Sequence, residues 1–134
     1  GTLRREQWGS IPVTFLPKTH QDKMHEFYST IDVLIAPSLW PESFGLVTRE
    51  AAAAGVWVVA SNKGAMSEDL APGVNGDVIN PQRIVELMLV LQRIDEHPEE
   101  YQNPVEKKIH IRTTEEQVRE LEETYRSILV KKEQ

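Results

Sequence analysis

The stretch Pro37-Ser38-Leu39-Trp40-Pro41-Glu42-Ser43-Phe44-Gly45-Leu46-Val47-Thr48-Arg49-Glu50-Ala51 joins an apolar run to a new helix through a loop rich in proline and serine. Just before it, Asp32-Val33-Leu34-Ile35-Ala36 reads as a short, fully buried strand. Just after it, the chain runs from about Gly45 into Ala51-Ala52-Ala53-Ala54-Gly55, a helix whose small side chains let it lie close to a sheet. Val56-Trp57-Val58-Val59-Ala60 follows as a second buried strand. A strand, a helix and a strand in that order predict a βαβ unit with parallel strands. In such sheets ligands sit outside the carboxyl ends of the strands. The loops Pro37–Gly45 and Ser61–Ala65 leave those ends and are where function is expected.

Working outward, a polar lead-in precedes Ile11-Pro12-Val13-Thr14-Phe15-Leu16, which alternates and is rich in strand formers. Met24, Phe27, Tyr28 and Ile31 fall on one face of an amphipathic helix. On the other side a short helix is expected through Glu68-Asp69-Leu70, then a turn over Pro72–Gly76. Asn80-Pro81 resembles an N-cap followed by proline at the first helical position, opening a helix with Ile84, Leu87, Met88, Leu91 and Ile94 inward. His97–Arg112 reads as an extended crossing segment. Thr113-Thr114-Glu115-Glu116 forms a capping box for a last helix marked by Val118, Leu121, Tyr125, Ile128 and Leu129. The expected architecture is α/β, a Rossmann-like, doubly wound and mostly parallel sheet over residues 1–96, with the crossing segment and final helix over 97–134.

Composition narrows the function. The 134 residues carry 15 Lys plus Arg against 21 Asp plus Glu, a net charge of −6, which argues against nucleic acid as the main partner. There is no cysteine, hence no disulfide and no thiolate chemistry. No apolar run is long enough for a transmembrane segment, and no signal-peptide pattern is visible, so a cytoplasmic location is expected.

The chemistry resides at the start of the Leu46 helix. The first amides of a helix have no internal acceptor and carry the positive end of its dipole, a cradle for phosphate. Gly45 would let a ligand approach the backbone there. Glu50, one turn in, leans back towards that end, and Glu42 precedes it. Eight residues of helix span about 12 Å, enough for a pyrophosphate with a hydroxyl-bearing group at each end. A carboxylate accepts from two neighbouring hydroxyls and so suits a sugar or a ribose. Each of these residues also has a plainer reading. Glu42 and Glu50 could be a solvated helix face, Gly45 a helix-start residue, and Arg49 a surface or ion-pair residue. Trp40 reads as a loop anchor packed on the domain in preference to a sugar-stacking platform. Lys63 could reach a donor or remain solvated. The four histidines read as structural or surface residues, with no metal site.

The pattern resembles the retaining glycosyltransferases of family 4, whose two-domain fold is known as GT-B. Glu42 and Glu50, with seven residues between them, match that family's E-x7-E motif. Further matches are Phe-Tyr-Ser-Thr-Ile-Asp-Val-Leu before it, then Ala-Gly-x-x-Val-Val-Ala-Ser and Gly-Val-Asn-Gly-Asp-Val-Ile-Asn-Pro, together covering roughly residues 11 to 94. The resemblance implies a donor-binding, C-terminal domain acting on a nucleoside-diphosphate sugar. Glu42 would contact the transferred sugar as the catalytic residue. Glu50 would bind the ribose, and Ser43, Phe44, Gly45, Leu46 and Val47 would hold sugar and diphosphate, with Thr48 a possible phosphate donor. Leu16, Pro17 and Lys18 would flank the base, although Pro17 stands where the family often has glycine. No Asp-x-Asp occurs, which fits transfer without a metal or other cofactor. The family's N-terminal acceptor domain and its basic pair for the leaving diphosphate lie outside this sequence, so the chain alone is expected to be inactive, its acceptor unknown. Val13–Leu16 and Val33–Ala36 would then lack sheet neighbours, and a dimer, a strand swap or direct pairing of the two is expected. A catalytically silent binding module and a nucleotide-sugar epimerase on the same fold are the alternatives.

Overall fold

The computed structural model describes residues 2–102 and 113–132, with the side chains of 131 and 132 not described. Most of the predicted crossing segment falls at 103–112, outside the described residues; its start is a single 3-10 turn, Pro98–Glu100.

The centre is a parallel sheet of β3 (Val33–Ala36), β4 (Trp57–Ser61) and β5 (Gly76–Ile79), with β4 in the middle. Val33 pairs with Trp57 and Ala36 with Ala60, while Val58 pairs with Gly76 and Ser61 with Ile79. Alternation along β4 divides the core into two. Val58 and Ala60 pack with Tyr28, Ala51 and Met66 on one face, beneath α1 (Met24–Tyr28) and α2 (Leu46–Ala53). Val59, with Ile79, packs against Val90 of α3 (Ile84–Glu96) on the other. Helices on both faces of a parallel sheet make this the expected α/β, doubly wound arrangement. The run Ala51–Ala54 does what its small side chains allow: Ala51 is fully buried against the sheet.

Trp57 and Asp77 tie the second face together. Asp77 Oδ2 accepts from Trp57 Nε1 at 2.9 Å and from the Arg93 guanidinium at 2.7 Å. Arg93 Nε donates to the Tyr101 hydroxyl at 2.9 Å, and the Tyr101 ring meets Trp57 edge-on. The Asp77 bond first, then that to Tyr101, raises the Arg93 pKa further above its usual value.

Several expectations are corrected. The polar lead-in is a strand, β1 (Arg4–Trp8), which pairs antiparallel with β2 (Ile11–Phe15) across a Gly9-Ser10 turn. β2 therefore belongs to a separate two-stranded sheet and does not pair with β3. Arg-Arg-Glu-Gln-Trp has no apolar alternation to mark it as a strand, and all five residues are exposed. β3 is only half-buried, with Ile35 exposed, because β4 covers one of its edges and no described strand covers the other. β5 is an additional strand, and the expected helix through Glu68–Leu70 is a 3-10 turn one step earlier, Ala65–Ser67. α3 begins at Ile84, not at Pro81. Asn80 Oδ1 accepts from the Gln82 amide and its carbonyl from Arg83, a turn that uses Asn80 before the helix starts.

The capping box forms as expected at the start of α4 (Thr114–Lys132): Thr113 N donates to Glu116 Oε2 at 2.8 Å and Glu116 N to Thr113 Oγ1 at 3.3 Å. No described helix is long and apolar enough to cross a membrane.

Candidate functional site

β3 ends at Ala36 and α2 begins at Leu46, so the intervening loop lies at the carboxyl edge of the parallel sheet. The loop after β4 leaves the same edge, and the two are joined. Glu42 and Gly64 form a parallel bridge, and the Ala65 amide donates to the Glu42 carbonyl at 2.8 Å. A Cβ on Gly64 would run into the Glu42 backbone, so this position admits only glycine without rearrangement. The bridge fixes the Glu42 main chain and leaves its side chain exposed.

Gly45 takes up φ +63° and ψ +43°, the left-handed region, as the N-cap of α2. It is buried, and an added Cβ would lie 2.9 Å from Met66 Cα and 3.0 Å from the Ala65 carbonyl oxygen. The sequence suggested glycine for access by a ligand; the tertiary reason is close approach of the Ala65–Ser67 turn. No side chain caps α2. The Arg49 amide is the first to bond within the helix, to the Gly45 carbonyl. The amides of Leu46, Val47 and Thr48 have no backbone acceptor among the described residues, and Leu46 and Val47 are 48% and 47% exposed. Among the described residues these donors are unpaired, at the positive end of an eight-residue helix.

Thr48 does not add a free hydroxyl. It is 1% exposed, and its Oγ1 donates to the Gly45 carbonyl at 2.9 Å, completing the first turn of the helix. Ser43 and Phe44 face a different hollow, a cleft of about 400 Å³ shared with Arg49, Glu68 and, from α4, Gln117, Glu120, Leu121 and Thr124. The Arg49 guanidinium lies over the Phe44 ring, 4.8 Å from its centroid. It pairs with Glu68 at 2.7 Å and Asp69 at 3.0 Å, so Arg49 is the ion-pair residue its plainer reading suggested. Trp40 is not a packed anchor: it is 80% exposed. The Lys63 amide donates to Ser61 Oγ at 3.1 Å, at the turn leading to Gly64.

Glu50 is half-buried and turned towards α1. Its Oε1 accepts from Gln21 Nε2 at 2.6 Å and its Oε2 from the Tyr28 hydroxyl at 3.1 Å. Burial foremost, then the bond to Glu50 and its charge, pushes the Tyr28 pKa up to about 12, so the hydroxyl remains a donor. These residues line a cavity of about 270 Å³ with Met24, His25, Ala53 and Ala54. The structure thus brings Glu42, Gly45 and the α2 amides to one edge, with Glu50 one turn further in. Leu16, Pro17 and Lys18 lie exposed in the coil after β2 and make no hydrogen bond to these residues. Gln21 and Tyr28 were not foreseen as site residues. Tyr28 carried a signal, since a tyrosine within an apolar helix face needs a partner for its hydroxyl. Gln21 carried none.

Comparison with known proteins identifies the family. The family described as glycosyl transferases group 1 matches residues 9–110. A lipopolysaccharide 1,2-N-acetylglucosaminetransferase of Salmonella typhimurium is 47% identical over 55 residues, 41% of this chain and 14% of that protein. A D-inositol 3-phosphate glycosyltransferase of Rhodococcus opacus is 35% identical over 86 residues, 64% of this chain and 19% of that protein. One from Mycolicibacterium vanbaalenii is 41% identical over 68 residues, 51% of this chain and 15% of its own length. The chain therefore spans under one fifth of these relatives.

Proposed function

The chain belongs to the glycosyl transferases group 1 family, and from that premise we propose that it is the donor-binding part of a retaining, metal-independent glycosyltransferase of family 4. The donor is a nucleoside-diphosphate sugar. Its diphosphate lies on the free amides of Leu46 and Val47, where the helix dipole and N–H donors offset its charge. Gly45 and the backbone of Ser43 and Phe44 border the transferred sugar, whose hydroxyls Glu42 accepts. Glu50 accepts from the ribose. As the glycosidic bond breaks, charge develops on the leaving diphosphate, and donors fixed in advance at the α2 terminus stabilise it without reorganising. The departing phosphate takes the acceptor's proton on the same face, which preserves the anomeric configuration.

The observation that carries this reading is the uncapped start of α2, held between two bridged loops at the carboxyl edge of the sheet. The test is the full-length protein incubated with uridine-, guanosine- and adenosine-diphosphate sugars in the presence of chelator. Release of nucleoside diphosphate with a product of unchanged anomeric configuration is expected. An inverted product would refute the retaining assignment. Nucleotide binding without transfer to any acceptor would favour the silent binding module, and loss of activity on chelation would refute metal independence.

A further inference from the structure

Glu50 is held by two donors of unequal freedom. Tyr28 is 2% exposed, its ring packed in the cluster of Ala51, Val56 and Met66, and its hydroxyl reaches Oε2 at 3.1 Å. The same hydroxyl lies 3.5 Å from the Val47 carbonyl, in the first turn of α2. Gln21 is exposed, on the 3-10 turn that precedes α1, and its amide reaches Oε1 at 2.6 Å. The tyrosine cannot leave without opening the core, whereas the glutamine can turn into water.

That asymmetry matters because a carboxylate has about four acceptor positions. A vicinal diol brings two donors and must find the carboxylate already oriented, since an orientation imposed on binding costs side-chain entropy. We infer that Tyr28 is a positioning residue that holds the Glu50 carboxylate at the rim of the cavity, and that Gln21 is a placeholder whose hydrogen bond the ligand's hydroxyls replace. Tyr28 occupies one position on Oε2 and keeps it. Release of Gln21 frees Oε1 for the diol. The inference rests on the assignment of Glu50 to the ribose.

Calorimetry on the full-length protein, with uridine and guanosine diphosphates and their 2′,3′-dideoxy forms, tests it. Tyr28→Phe keeps the ring and should weaken ribonucleotide binding about tenfold, as for loss of a hydrogen bond to a charged group, and dideoxynucleotide binding less than about twofold. Gln21→Ala should leave ribonucleotide binding unchanged or tighten it by less than about threefold, because the exposed bond it removes is present only before the ligand binds. Combined with Glu50→Gln, Tyr28→Phe should add no further loss, as expected when one residue acts through the other. Equal weakening of both nucleotide forms by Tyr28→Phe would make the tyrosine a packing residue only and overturn the positioning role. A Gln21→Ala loss as large as that of Tyr28→Phe would make Gln21 a ligand contact and overturn the placeholder role. The underlying ribose assignment fails separately, if the unaltered protein binds ribo- and dideoxynucleotides equally.

Discussion

The β3–β4–β5 sheet and the β1–β2 hairpin use similar strand-forming residues in opposite surroundings. Val58, Val59 and Ala60 in β4 are 0% exposed, sealed by strands on both edges and helices on both faces. In the hairpin, Ile11 is 64% and Trp8 60% exposed, and among the described residues each strand has only the other to pair with. What holds the hairpin is local: Trp8 and Phe15 meet edge-on, and the Arg4 guanidinium lies 4.1 Å from the centre of the Phe15 ring. A two-stranded hairpin is marginal without a packed face. The difference shows that strand propensity decides the extended conformation, while the number of covering elements decides how much stability it yields.

The largest effect should separate the two regions directly. Ile79→Ala removes a fully buried side chain between β4 and α3 and should cost about 2–5 kcal/mol, whereas Ile11→Ala should stay within about 0.5 kcal/mol. Urea unfolding of both variants measures this; equal losses would mean that the hairpin is packed in solution. Gly64→Ala comes next, because its Cβ meets the Glu42 backbone and the residue has φ +63°. A loss of about 2–4 kcal/mol, together with weakened nucleotide binding, is expected. Gly9→Ala, also at positive φ but with open space around it, should cost only about 1 kcal/mol.

Tyr28 gives the comparison a pH dependence. Its folded pKa of about 12 exceeds the ordinary value of 10.0, so the folded state holds the proton more tightly than the unfolded one. Its contribution is complete below about pH 10 and is lost as pH rises towards 12. The loss of stability between about pH 10 and 12 should therefore be shallower in Tyr28→Phe, and an unchanged alkaline profile would contradict it. The smallest contrast is between polar groups. Asp77, with two donors on one oxygen and a side chain 13% exposed, should cost about 1–2 kcal/mol on change to Asn. Glu6→Gln breaks an exposed pair with Arg4 and should cost less than about 0.5 kcal/mol in the same unfolding assay.

The legible parts of the fold were those with continuous apolar pattern. Val56–Ala60, the alanine-rich helix and the Thr113 capping box needed only periodicity and local hydrogen bonding. The polar β1 was illegible because its strand character comes from pairing with β2. Pro81 misplaced the start of α3 because Asn80 spends its capping groups on an isolated turn. At the candidate site, the spacing of Glu42, Gly45 and Glu50 was readable because strand, loop and helix are consecutive. The donors on Glu50 were not, since Gln21 and Tyr28 come from a segment distant in sequence.

By itself, then, the sequence determined the βαβ order, the glycine at the head of α2 and the two glutamates beside it, all properties of short consecutive stretches. Tertiary structure alone decided that Gly64 bridges to Glu42, that Gly45 must accommodate the Ala65–Ser67 turn, and that Glu50 faces Tyr28 and Gln21. The physical reason is that hydrogen bonds and close approaches form between neighbours in space. The chain reaches those neighbours only once the parallel sheet has brought its strand ends to one edge.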